Sequence, residues 1–203
     1  MKITAIRSQV KNPERASVFI DGKYSFSLSL NELVTEKLKN NEEIDGIRLK
    51  RLKKLSEDGK LRMRSLEWVM NRPHSTREFK DYMYRKKAEP SMTDQLIEEF
   101  TSRNYLDDQA FARWLVEVRS RAGKSDRQIR AELFKKGIDR ETVDEVLERE
   151  AGSEEERLRL VIAKKGNLPR YRNDPQKLAQ YLIRQGFSWQ AVKEVLQLNR
   201  IQD

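Results

Sequence analysis

The sequence predicts a mainly α-helical chain: tandem three-helix repeats in an elongated array, preceded by a small N-terminal β-hairpin or sheet extension. Three observations carry that expectation. The first thirty residues alternate with period two, the remainder follows the helical period, and the helical part repeats itself about every fifty residues. Of 203 residues, 37% are charged and 37% hydrophobic, whereas an ordinary soluble domain has roughly 25% and 45–50%. So polar a chain suits several thin helical layers, each burying one stripe, better than one thick core.

The elements follow in order. Ala16, Val18 and Ile20 alternate before Asp21-Gly22, and Tyr24, Phe26 and Leu28 alternate after it, which is a hairpin pattern. A two-residue loop would pair Ile20 with Lys23 and put the apolar rows on opposite faces. A three-residue loop, Asp21-Gly22-Lys23, pairs Ile20 with Tyr24 and Val18 with Phe26, giving one apolar face, and is the expected form. Ile3 and Ile6 fit a third strand, and so small a sheet has to lean on the helices that follow. After Ser29 the chain turns helical, with Leu33, Val34 and Leu38 following Asn31 as candidate N-cap and Asn40-Asn41 as the end. Residues 44–71 carry one long helix or two, with Gly46 and Gly59 as weak points and Pro73 as the stop.

The rest divides into repeats at residues 56–106, 107–152 and 153–203, behind an extension at 1–55. Ile129, Leu133, Gly137 and Ile138 match Leu178, Leu182, Gly186 and Phe187; Val143, Val146 and Leu147 match Val192, Val195 and Leu196 at the same spacing. A fainter copy places Phe79 and Met83 on Ile129 and Leu133. The punctuation agrees. Ser75-x-x-Glu78, Ser125-x-x-Gln128 and Ser153-x-x-Glu156 have capping-box form. Gly137 and Gly186 sit where a left-handed residue ends a helix, and Asp139 and Ser188 are placed to cap the next one.

With 42 Lys+Arg against 33 Asp+Glu the net charge is +9, and a polyanion is the first partner to consider. The middle repeat is divided. Arg113, Arg119, Arg121, Lys124, Arg127, Arg130, Lys135 and Lys136 stand against Glu117, Asp126 and Glu132, and six acids against two bases follow at residues 139–150. That division suits docking on a surface itself charged in patches, and equally suits an acidic helix facing its basic neighbour. Arg127, Arg130 and Phe134 fall on one side of their helix, like a stacking site for an exposed base. Tyr84 and Ile183 occupy the matching positions, which packing between repeats would also explain. Arg85, Lys86 and Lys87 with Arg77 and Lys80 form a second basic group, and Lys164, Lys165, Arg170 and Arg172 a third; cations also collect at helix C-termini for dipole reasons alone.

Other chemistry is thin. No cysteine is present, and the single histidine, His74, reads as a residue beside a helix cap. Trp68, Trp114 and Trp189 lie on helical stripes and read as core, and Asp107-Asp108 as a cap. No phosphate loop, metal-ligand spacing or nucleophile–base pair is visible, so no enzyme, cofactor or metal is expected. No apolar run approaches a membrane span and no secretory leader is visible, so a cytoplasmic location is expected.

These residues resemble the RecX family of recombination regulators over nearly the whole chain. The stretches that carry the resemblance are Asn71 to Phe79 (NRPHSTREF), Tyr105 to Ala112 (YLDDQAFA) and Gly123 to Ile138 (GKSDRQIRAELFKKGI), and Val18 to Gly22 resembles the N-terminal extension of Gram-positive-type members. One departure is the loop from Ala88 to Ser91, without the glycine that ends the matching helix elsewhere. The resemblance implies a cytosolic bacterial protein that binds the RecA recombinase filament on DNA, and a monomer is expected. It further implies a modulator, usually negative, of ATP hydrolysis, strand exchange and SOS co-protease activity; the basic side of the middle repeat is placed to reach DNA phosphates or acidic groove walls. Arg119, Arg121, Lys124, Arg127, Arg130, Lys135, Lys136, Arg77, Arg85 and Lys86 are the candidate contacts to filament or DNA. The rival expectation is a DNA-binding helical-repeat protein that acts without a recombinase.

Overall fold

The computed structural model describes residues 1–197, so the end of the third repeat beyond Gln197 lies outside the described residues. Three strands, β1 (Ile3–Ser8), β2 (Arg15–Ile20) and β3 (Lys23–Ser29), lead into ten helices among the described residues. These are α1 (Leu30–Thr35), α2 (Gly46–Met70), α3 (Thr76–Arg85), α4 (Pro90–Ser102), α5 (Asp108–Arg121), α6 (Asp126–Lys135), α7 (Arg140–Glu150), α8 (Glu154–Lys165), α9 (Pro175–Arg184) and α10 (Trp189–Val195). The described residues form two compact lobes that divide between Trp68 and Val69. The mainly helical class with a small N-terminal sheet is therefore observed. None of the described helices is long and apolar enough to cross a membrane.

In the N-terminal lobe the sheet is antiparallel in the order β1-β2-β3. Its apolar face, Ile3, Val18, Ile20, Phe26 and Leu28, packs on Ile44 and on Leu52 of α2. Ser56 ties the two layers: its hydroxyl donates to the Ser27 carbonyl at 2.6 Å and accepts from the Ser27 N–H at 3.3 Å. The hairpin register corrects the expected one. Ile20 pairs with Lys23 and Phe19 with Tyr24, yet Val18 pairs with Phe26. The loop is two residues long, with Asp21 and Gly22 both at positive φ (47° and 80°), as a type I′ turn requires. A bulge at Ser25 then restores the shared apolar face. Tyr24 is exposed as a result and meets Phe19 edge-on at 6.1 Å.

Of two further expectations, one is corrected and the other resolves to a single long helix. The N-cap of α1 is Ser29, not Asn31: Ser29 accepts from the Glu32 N–H while the Glu32 carboxylate accepts from the Ser29 N–H, a full capping box. Gly59 does not break the helix. α2 runs through it, and a side chain there would collide with the Glu32 carboxylate that closes the α1 cap.

In the C-terminal lobe the matching apolar positions are the core. Ile129, Leu133, Leu178, Leu182, Phe79 and Met83 are each no more than 4% exposed. Burying each such side chain contributes about 1.5–3 kcal/mol. Leu133 and Ile129 join Phe111, Leu115, Val116, Val143 and Val146 in one cluster, and Leu182 and Leu178 join Leu158, Tyr171, Phe187 and Val192 in another. Phe79 meets Phe100 edge-on at 5.5 Å in a third group. Trp114 packs against the first cluster. Trp189 departs from the expected core placement: it opens α10 and is 55% exposed.

Candidate functional site

The middle helices of the three repeats, α3, α6 and α9, are each ten residues long and meet end to end. Ser75 caps α3 by accepting from the Glu78 N–H, and its hydroxyl donates to the Lys136 carbonyl at the C-terminus of α6 at 2.8 Å. Ser125 repeats this one unit later, accepting from the Gln128 N–H and donating to the Gln185 carbonyl at the end of α9 at 2.8 Å. Each serine thus satisfies an orphan donor of its own helix and an orphan acceptor of the next repeat's helix. The helix dipoles are joined head to tail, the favourable sense. Asp108 at the start of α5 accepts from the Thr76 N–H at 2.7 Å, and Glu154 at the start of α8 accepts from the Asp126 N–H at 3.1 Å. The two junctions are copies of each other.

Glycine follows from this docking. Gly137 and Gly186 end α6 and α9 at φ 82° and 91°. A Cβ would lie 3.0 Å from Arg77 Cβ in the first case and 2.7 Å from Ser125 Oγ in the second. Among the described residues, no further N-cap serine docks at the C-terminus of α3. There Lys87 takes the same left-handed conformation, φ 57°, which accounts for the missing glycine.

The junctions differ in charge. At the first, Glu78 receives Lys136 Nζ at 2.6 Å, Arg72 Nη1 at 3.0 Å and a hydrogen bond from His74 Nδ1 at 3.0 Å. Burial pushes the Glu78 carboxyl up, but the hydrogen bonds from Arg72, Lys136 and His74 together hold it down at about 2. At the second, Gln128 stands in the place of Glu78 and Gln185 in that of Lys136, and the Gln128 amide donates a neutral hydrogen bond to Gln185 Oε1 at 3.2 Å. Arg157, 3% exposed, completes the second junction by bonding the carbonyls of Lys124, Ala151 and Gly152 and pairing with Asp126. Sequence reasoning missed Arg157 and the engagement of buried His74. An arginine beside Leu158 carries no signal that its partners are backbone carbonyls.

The ten candidate cations separate into two sets. Arg119 makes a bidentate bond to Glu132, 2.7 Å on both arms, which clamps α5 to α6. That bond, opposed by burial, lowers the Glu132 carboxyl and raises the Arg119 guanidinium. Arg130 pairs with Asp144 of α7, Lys136 with Glu78, and Arg121 with Glu117 on its own helix. Part of the charge division in the middle repeat is therefore neutralised internally. Arg77, Arg85, Lys86, Lys124, Arg127 and Lys135 are exposed and make no ion pair among the described residues; Lys86 Nζ lies 5.5 Å from the Tyr82 ring centre.

Packing between repeats does not bury the third feature of these helices. Tyr84, Phe134 and Ile183 occupy one repeat position and are 84%, 42% and 37% exposed. A basic residue follows each: Arg85, Lys135 and Arg184. Arg77 and Arg127 lie seven residues before Tyr84 and Phe134, within about 20° on the helix surface. Each of α3 and α6 therefore shows solvent an aromatic ring between cations.

Residues 1–45 match the Regulatory protein RecX N-terminal domain, and residues 107–147 match the RecX second three-helix domain. The Regulatory protein RecX of Bacillus licheniformis is 30% identical over 200 residues, covering 96% of this chain and 76% of that protein. That of Bacillus subtilis is 34% identical over 146 residues, covering 71% of this chain and 55% of that one. A crystal structure of a regulatory protein RecX shares the fold, with a TM-score of 0.69 at 24% identity over 97% of this chain and 98% of that chain.

Proposed function

Because the chain belongs to the RecX family of regulatory proteins, we propose that it is a negative modulator of the RecA recombinase, acting as a monomer in the cytoplasm along the groove of the RecA–DNA filament. Bound there, it limits ATP hydrolysis, strand exchange and SOS co-protease activity. The observation that carries this reading is the head-to-tail row of α3, α6 and α9, fixed by paired serine junctions and bearing exposed cations at repeated positions. A helix of ten residues advances ~15 Å, so a row of this kind suits a partner that is itself periodic and anionic. Its effect is steric and electrostatic. The repeats bias the filament protomers towards an inactive arrangement and block access to the groove. A tenfold shift of such an equilibrium takes ~1.4 kcal/mol of differential affinity.

Of the ten candidate cations, Arg77, Arg127, Lys135, Arg85, Lys86 and Lys124 are assigned to contact, and Arg119, Arg121, Arg130 and Lys136 to ion pairs within the fold. Anisotropy of the labelled protein titrated with RecA assembled on single-stranded DNA tests the reading. Saturable binding is expected, weakened by a combined Arg77→Glu, Arg127→Glu and Lys135→Glu variant that still melts like the parent. Absence of binding to the assembled filament would overturn it.

A further inference from the structure

We propose that Tyr84 and Phe134 are two repeat-spaced stacking positions for unpaired bases of a single-stranded nucleic acid whose phosphates are held by Arg77, Lys80 and Arg127. Single exposed apolar side chains are ordinary on a protein surface. Here the same repeat position is apolar in all three repeats and faces solvent in all three, although its neighbours on the stripe, Met83, Leu133 and Leu182, are fully buried. Burial in the fold therefore does not explain the choice of residue.

Charge selects the occupant. On α3, Arg77 and Lys80 lie within about 20° and 40° of Tyr84 around the helix, and both are exposed without an ion pair among the described residues. On α6, Arg127 holds the same relation to Phe134, while Arg130 is taken by Asp144. An aromatic face between cations fits a base and its phosphates together: rings accept any base because every base has a π-face, and the cations follow the backbone. The third repeat lacks both parts. Ile183 replaces the ring, Gln176 stands where Arg77 and Arg127 do, and the position of Lys80 and Arg130 is the buried Ala179. Two of the three repeats thus carry the site. Ser75 joins the α3 N-terminus to the α6 C-terminus, and each ring stands near the C-terminus of a ten-residue helix that advances ~15 Å.

The inference stands apart from the filament reading, since it concerns free nucleic acid. The test is fluorescence anisotropy of the full chain with a labelled oligothymidylate of about 16 nucleotides, and with an abasic strand of the same length. Tyr84→Ala and Phe134→Ala should each weaken oligothymidylate binding roughly 5- to 100-fold, with the slope of affinity against salt unchanged. Neither should alter binding of the abasic strand, and Ile183→Ala should alter neither. Tyr84→Phe and Phe134→Tyr should retain affinity. Arg77→Ala and Arg127→Ala should each reduce the salt slope by ~0.7. Equal losses on the abasic strand, no loss at all, or no binding of oligothymidylate by the parent would overturn the proposal. So would ring variants that keep oligothymidylate affinity but lose recombinase inhibition, the outcome expected of an acidic protein partner. Ring-dependent binding in a protein that leaves RecA unaffected would uphold this site and reject the filament function.

Discussion

Replacing Glu78 with glutamine removes the charge on which Arg72, His74 and Lys136 converge between the first and second repeats. The Glu78 side chain is 11% exposed and its carboxyl is held at about 2 instead of the ordinary 4.5. A displacement of that size corresponds to ~3 kcal/mol of stability at neutral pH. The unfolded carboxyl takes up its proton near pH 4.5 and the folded one near 2, so this contribution is complete above about pH 5. It is lost as pH falls through that window, with ~1.4 kcal/mol left at pH 3. Urea unfolding of the parent and of Glu78→Gln should therefore differ by about 2–4 kcal/mol at pH 7 and by about 1 kcal/mol at pH 3. The double variant Glu78→Gln with Lys136→Gln gives the first junction the amide chemistry of the second, Gln128 with Gln185. It should recover part of the loss, a coupling of ~1–2 kcal/mol. A Glu78→Gln loss below ~0.5 kcal/mol, or one independent of pH, would refute the role given to the cluster.

The remaining predictions concern the rest of this framework and use the same unfolding measurement. Ser125→Ala leaves the Gln185 carbonyl and the Gln128 N–H without their partner and should cost ~1–2 kcal/mol. Gly137→Ala, which sets a Cβ at positive φ against Arg77, should cost at least ~1 kcal/mol, whereas Lys87→Gly at the undocked end of α3 should gain ~0.5–1 kcal/mol. Arg119→Ala, losing the bidentate bond to Glu132, should cost ~1–2 kcal/mol while leaving filament affinity unaltered; a selective loss of affinity would return Arg119 to the contact set.

Much of this architecture is legible in the sequence because periodicity and caps are local. The stripe through Ile129 and Leu133 and its copies at Leu178 and Leu182 reports burial directly, and Ser75, Ser125, Asp139 and Ser188 cap where their spacing places them. What the sequence hides is set by partners distant along the chain. The bulge at Ser25 satisfies two competing registers that a choice of loop length alone cannot combine. Asp107-Asp108 reads as one cap, but Asp107 caps α5 while Asp108 caps α3. The capping-box residues Glu78 and Gln128 turn away from their own serines to the neighbouring repeat. Arg119, Arg130 and Lys136 look like any other surface cations until α5, α6, α7 and α3 are assembled and each finds a carboxylate. Tyr84 and Phe134 show the converse: apolar residues on a repeat position that assembly leaves open.

The central claim, regulation of RecA through the exposed cations of the α3, α6 and α9 row, is tested most directly by RecA-dependent ATP hydrolysis on single-stranded DNA. Hydrolysis should fall saturably as this protein is added, and the combined Arg77→Glu, Arg127→Glu and Lys135→Glu variant should need at least about tenfold more protein for the same inhibition, a loss of ~1.4 kcal/mol of binding free energy. A hydrolysis rate unchanged by saturating protein, or inhibition by the variant equal to that of the parent, would contradict it.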